Sequence, residues 1–142
     1  MRFRKSAHSI YRTQYHLVWI PRYRRKIFTD GVKEYAEVIL RNLPNLEPDI
    51  EVITVNVQLD HVHMILVVPP RVAVANAVQY IKTQSAKMIR AKFPFLNKVY
   101  IGQAGLWSRG YCISSIGLNE KEILRYVTHQ TREDRGQLRL AW

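Results

Sequence analysis

Two consecutive runs decide the fold: Ile53-Thr54-Val55-Asn56-Val57-Gln58-Leu59-Asp60 and His61-Val62-His63-Met64-Ile65-Leu66-Val67-Val68. In the first, apolar and polar residues alternate at every position, the period of a half-buried strand. A tight turn near Asp60 leads into the second, which Pro69-Pro70 closes. Side chains on a strand alternate faces, so His61 and His63 leave one face together. Val62, Met64, Leu66 and Val68 supply the opposite, core-facing side. Ile65 and Val67 share the histidine face, so part of it needs cover, and a partner subunit is one source.

Working outward, Tyr15-His16-Leu17-Val18-Trp19-Ile20 reads as a first strand stopped by Pro21. The basic stretch Arg22 to Lys26 follows as a loop. Asp30 can cap a helix running to about Leu43, with Val32, Tyr35, Ala36, Ile39, Leu40 and Leu43 at helical spacing, ended by Pro44 and Pro48. Downstream, Val74, Val78, Ile81, Met88 and Ile89 form the apolar stripe of a second helix from about Val74 to Lys92, stopped by Pro94. A loop with Gly102, Gly105 and Trp107 leads to an extended segment, Tyr111 to Ile116. A last helix opens at Asn119, with Glu122 completing a capping box and Leu118 and Ile123 forming a hydrophobic staple. The order predicts an α+β, ferredoxin-like sandwich (βαββαβ) with an additional C-terminal helix, read as a single domain over residues 1–142.

The net charge is +11, with 22 Lys and Arg against 11 Asp and Glu. Its distribution says more. No acidic residue precedes Asp30, and none lies between Asp60 and Glu120. Long acid-free basic stretches suit a polyanion, with nucleic acid first and an anionic membrane surface second. Arg22, Arg24, Arg25, Lys82, Lys87, Arg90 and Arg109 are the candidate backbone contacts. Cys112 is the single cysteine, so no disulfide or cysteine-rich zinc site can form within one chain. No signal peptide and no membrane span are apparent, and the expected location is the cytoplasm.

Two neutral imidazoles on a rigid strand can share one divalent ion. A third ligand could be Asp60, His129 or Gln130. Gln130 would offer a neutral carbonyl oxygen, suited to Mg²⁺ or Mn²⁺. Tyr126 precedes Gln130 by one turn of the predicted helix, so the two share a face. A phenolate can attack phosphorus, giving a phosphotyrosine and a free 3′-hydroxyl.

Four blocks carry a resemblance: His16-Leu17-Val18-Trp19-Ile20-Pro21-Arg22-Tyr23-Arg24-Arg25, Asp60-His61-Val62-His63-Met64, Leu106-Trp107-Ser108-Arg109-Gly110-Tyr111, and Tyr126-Val127-Thr128-His129-Gln130. In this order they resemble the HUH single-tyrosine transposases of the bacterial insertion sequence 200/605 group. The resemblance implies His61 and His63 as metal ligands, Tyr126 as nucleophile and Gln130 in the metal shell. It also implies a dimer acting on single-stranded DNA with hairpins at element ends, with Tyr126 able to serve the partner's site. The expected function is cleavage and rejoining of single strands through a 5′-phosphotyrosine. The alternatives are an HUH nickase of the replication-initiator or relaxase kind, and a non-catalytic ferredoxin-like nucleic-acid-binding protein.

Overall fold

A computed structural model describes residues 4–5, 10–11, 13–100, 105–115, 124–125, 127–132 and 134. In chain order these form strands β1 (Arg4–Lys5), β2 (Ile10–Tyr11) and β3 (Gln14–Trp19), and helix α1 (Val32–Arg41). Strands β4 (Glu51–Gln58) and β5 (His61–Val67), helices α2 (Val74–Lys92) and α3 (Leu96–Val99), and strand β6 (Cys112–Ser114) follow. Residues 124–125, 127–132 and 134 are helical. The predicted capping box at Asn119 and Glu122 lies outside the described residues.

The alternating runs become the β4–β5 hairpin, with Gln58 opposite His61 and Leu59-Asp60 as its two-residue turn. β3 pairs β5 on its other side and then β6, so a four-stranded antiparallel sheet runs in the order β4-β5-β3-β6. Counting from β3, the main elements read β-α-β-β-α-β, the predicted mixture of helix and antiparallel sheet. The separate pair β1–β2 was not predicted.

Leu17, Trp19, Val55, Val57, Val62, Met64 and Leu66 bury one sheet face against Ala36 and Leu40 of α1 and Val78, Ile81 and Ile89 of α2. Two sequence expectations need correction here. First, the alternation in β4 is interrupted: its register against β5 shifts between Val52 and Thr54. Ile53 is therefore 36% exposed, and Val52 packs against the core in its place. A bulge adds one residue and exchanges the faces before it. Second, α1 is capped by Gly31 at φ 86°, not by Asp30, and Glu34 accepts the Gly31 N–H at 2.6 Å.

The histidine face is also drier than expected. Val67 is only 2% exposed, and Val18, Ile20 and Val127 are buried as well, all four outside the main core cluster. Much of the cover thus comes from within the chain.

Candidate metal and DNA-processing site

His61 opens β5 directly after the turn, and Asp60 is the last turn residue. His61 Nδ1 lies 3.0 Å from Asp60 Oδ1, while Arg24 Nε donates to Asp60 Oδ2 at 2.8 Å. Burial alone would raise the Asp60 pKa, but the hydrogen bonds from His61 and Arg24 outweigh it and hold the carboxyl below its ordinary value. An ionised Asp60 accepts a hydrogen bond from His61 Nδ1–H, and Nε2 keeps its lone pair for a ligand. Asp60 therefore acts as an orienting group for His61, a different use from the direct ligand considered above.

His63 sits on the same face two residues on, as the strand period requires. Its Nε2 lies 3.2 Å from Nδ1 of His16, which arrives from β3. Val18 is the direct partner of His63, and His16 is the partner of Ile65, so His16 is a diagonal neighbour on that face. Burial first, then the neighbouring His16 and His61, pull the His63 pKa below its ordinary value. The neutral imidazole, which is the metal-binding form, is thereby favoured. Sequence reasoning gave His16 no role of its own. The signal was present in the alternation of Tyr15 to Ile20, but the register of β3 on β5 was needed to read it.

The C-terminal helical residues close a second cluster. Gln130 is 5% exposed, and its Nε2 donates to Ser108 Oγ at 2.9 Å and to the Arg109 carbonyl. Ser108 Oγ donates to Asp134 Oδ1 at 2.5 Å, and Asp134 Oδ2 accepts the Tyr23 N–H at 2.9 Å. Ser108 and Asp134 are fully buried. Neither was singled out from sequence. Tyr126 lies outside the described residues. His129 is exposed on the other side of the helix from Val127 and Gln130, beside Leu124, Arg125 and Arg132.

The loop after β3 links these groups. Tyr23 and Arg24 both adopt left-handed backbone, at φ 62° and 53°. Two such non-glycine residues in succession cost roughly 1–2 kcal/mol each and persist only where neighbours fix them. Here the Tyr23 N–H binds Asp134, the Arg24 side chain binds Asp60, and Tyr100 donates its hydroxyl to the Arg22 carbonyl at 3.1 Å.

The basic candidates separate by environment. Arg25, Lys87 and Arg109 are exposed. Arg22 Nε is used on the Gly105 carbonyl at 3.2 Å, and Arg24 on Asp60. Lys82 Nζ donates to the carbonyls of Ser108 at 2.9 Å and Gly110 at 2.7 Å. Burial pushes its pKa down to about 8, with Arg22 adding to the fall and Asp134 opposing it. Arg90 is half-buried in α2. Internal contacts thus occupy Arg22, Arg24 and Lys82, and the solvent-facing positive charge of this set rests with Arg25, Lys87 and Arg109.

Among the described residues, no three His, Cys, Asp or Glu side chains are grouped to hold a metal ion. The imidazoles on this face are His61, His63 and, against His63 Nε2, His16. A hard ion bound there would take its remaining ligands from oxygen, such as an amide carbonyl, water or phosphate. The His61 and His63 imidazoles fit such an ion.

An antiparallel sheet packed on helices that presents paired histidines beside a left-handed basic turn defines the class as an α+β protein with a built polar site. The chain belongs to the IS200-like transposase family, whose model, described as "Transposase IS200 like", matches residues 9–130. It is 32% identical over 129 residues to the transposase for insertion sequence element IS200 of Salmonella typhimurium, covering 91% of this chain and 84% of that one. It is 30% identical over 131 residues to the ISDra2 transposase TnpA of Deinococcus radiodurans, covering 92% of each. A crystal structure of a proposed transposase from Deinococcus radiodurans R1 superposes with a TM-score of 0.77 at 28% identity, covering 89% of this chain and 97% of that one. A DNA-processing enzyme is the class these likenesses support. Among the described residues, no helix is long and apolar enough to cross a membrane.

Proposed function

We propose that this transposase cleaves and rejoins single-stranded DNA through a covalent 5′-phosphotyrosine on Tyr126. In the forward step the Tyr126 oxygen bonds to phosphorus and the bond from phosphorus to the 3′ oxygen breaks. The phenol gives up its proton as it bonds, and the departing oxygen takes one up and becomes a free 3′-hydroxyl. In the reverse step another 3′-hydroxyl attacks the phosphotyrosine and releases Tyr126. Bond energy is retained in the intermediate, so rejoining needs no nucleotide cofactor.

His61 and His63, with Gln130, would hold Mg²⁺ or Mn²⁺. The ion would supply positive charge to the scissile phosphate as negative charge develops on its oxygens. Asp60 keeps His61 in the tautomer that leaves Nε2 available. Exposed Arg25, Lys87 and Arg109 contact the backbone of a single strand carrying a hairpin. A homodimer supplies one site for each DNA end.

The observation that carries this reading is the His61–His63 pair on one face of β5, with His61 tied to Asp60, in a chain of this family. The test is incubation with labelled single-stranded element ends and Mg²⁺, followed by denaturing gels. A protein–DNA adduct that disappears in Tyr126→Phe, and is lost in His61→Ala or His63→Ala with DNA binding retained, supports it. Binding with no adduct under any metal would make the protein a non-catalytic binder.

A further inference from the structure

An amide side chain does not choose its own orientation, because its oxygen and nitrogen ends have nearly the same shape. If Gln130 is to offer a carbonyl oxygen to a cation, something must decide which end faces outward. We propose that Asp134 and Ser108 are positioning residues that set this choice through a one-way chain of hydrogen bonds. The inference rests on the metal role proposed above for Gln130.

The direction begins at Asp134. Its carboxylate can only accept, and it accepts twice, from the Tyr23 N–H at 2.9 Å and the Ser108 hydroxyl at 2.5 Å. Ser108 has one hydrogen to give. The Arg109 carbonyl also lies within reach of Oγ, but at 3.3 Å, so the shorter and charge-assisted bond to Asp134 takes the proton. That leaves only lone pairs on Ser108 Oγ facing Gln130. The amide nitrogen of Gln130 must therefore turn toward Ser108, and it does, at 2.9 Å. Its second hydrogen goes to the Arg109 carbonyl. Both N–H groups are committed inside the cluster, which directs Oε1 the other way. Gly110, at φ +80°, has no side chain and lies alongside the amide, where a Cβ would start 3.5 Å from Oε1 and 3.7 Å from Nε2.

All three side chains are buried, so water does not compete for these bonds and a reversed arrangement is costly. A charge eight positions after Tyr126 thus acts on the metal shell without touching it.

Asp134→Asn tests this with a change of almost no volume. The Tyr23 N–H still requires an acceptor, so the new amide oxygen stays there and its nitrogen faces Ser108. Ser108 then accepts from residue 134 and its own hydrogen is freed toward Gln130, so the Arg109 carbonyl alone still calls for the amide nitrogen and the preference for Oε1 outward is weakened. Mn²⁺ affinity of the full-length protein, read by titration calorimetry or by the EPR signal of free ion, should fall roughly tenfold, as for other groups that orient metal ligands. Single-stranded DNA binding without metal should be unchanged.

The double variant Ser108→Ala/Asp134→Asn removes the group that transmits the reversal. It should bind Mn²⁺ more tightly than Asp134→Asn alone, which a merely structural role would not produce. Wild-type affinity in Asp134→Asn, or a double variant that binds Mn²⁺ no more tightly than Asp134→Asn, overturns the inference. Gln130→Ala and His61→Ala/His63→Ala are the controls for the underlying reading. Wild-type Mn²⁺ binding in both would remove the metal role itself. Weakened binding in both, with Asp134→Asn unaffected, would remove only the relay.

Discussion

Asp60 holds His61 with one oxygen and Arg24 with the other, so one carboxylate ties the histidine site to the strained turn at Tyr23 and Arg24. Asp60→Asn leaves a single oxygen for two donors. Mn²⁺ affinity should fall about 10–100-fold, as for other second partners of ligating histidines, which calorimetry would measure. The Asp60 pKa is depressed on folding, so its contribution to stability is present above the ordinary carboxylate value and lost as pH falls through the folded one. For His63 the ordinary value of 6.5 is also lowered, by burial before anything else. Its imidazole in the metal-free protein should titrate below that value by NMR, and His16→Ala should raise the midpoint without restoring it fully, because burial remains. A lowered histidine pKa means that the unfolded chain binds the proton first. Stability from His63 is therefore lost as pH falls below the ordinary histidine range. The sequence made the His61–His63 pair legible because its two members are two residues apart. His16, Ser108 and Asp134 were not legible, because each acts on a residue more than twenty positions away.

At the scale of elements, α2 matches its predicted bounds from Val74 to Lys92, since its apolar stripe and the following Pro94 are local signals. β4 does not match its predicted alternation, since a bulge is set by pairing with β5 and leaves no mark in a single strand. Lys82 shows how one element fastens another. From α2 it reaches two carbonyls of the loop before β6, while Trp107 Nε1 donates back to the Lys82 carbonyl at 3.0 Å. Its pKa falls from 10.5 to about 8 on folding. Between those values the unfolded chain holds a proton that the folded chain has released, so stability gains with pH across that window. Lys82→Met should remove this gain, and denaturant midpoints measured from neutral to alkaline pH would show a flatter profile than wild type. A parallel profile would mean that Lys82 keeps its ordinary pKa in the fold.

For the whole molecule, the proposed reaction can run with Tyr126 serving the histidines of its own chain or those of a partner. Val18, Ile20 and Val67 are already buried within one chain and Ile65 is half-buried, so cover for the histidine face gives less reason to dimerise than the sequence suggests. The proposed pairing of two DNA ends gives a better one. A mixture of His61→Ala/His63→Ala subunits with Tyr126→Phe subunits decides the matter. With the tyrosine in trans, the mixed dimer contains one intact site and adduct formation returns. With it in cis, every site keeps a defect and no adduct forms. A monomer in sedimentation with and without DNA would remove the premise. The fold class and element order were legible from the sequence because they follow from periodicity, whereas assembly depends on surfaces that periodicity does not describe.

The place of β3 in the sheet order also governs how the chain must fold. It lies between β5 and β6, yet both partners come later in the chain, and His16 pairs with Ser114 near the far end of the described residues. As the protein is synthesised, Leu17, Val18, Trp19 and Ile20, all fully buried in the finished fold, emerge with neither neighbouring strand yet made. Pairing across so much chain is slow compared with local helix formation. During that interval this buried strand has two open edges, the condition under which nascent chains aggregate. Refolding should therefore be slow and concentration-sensitive, with yield falling as protein concentration rises.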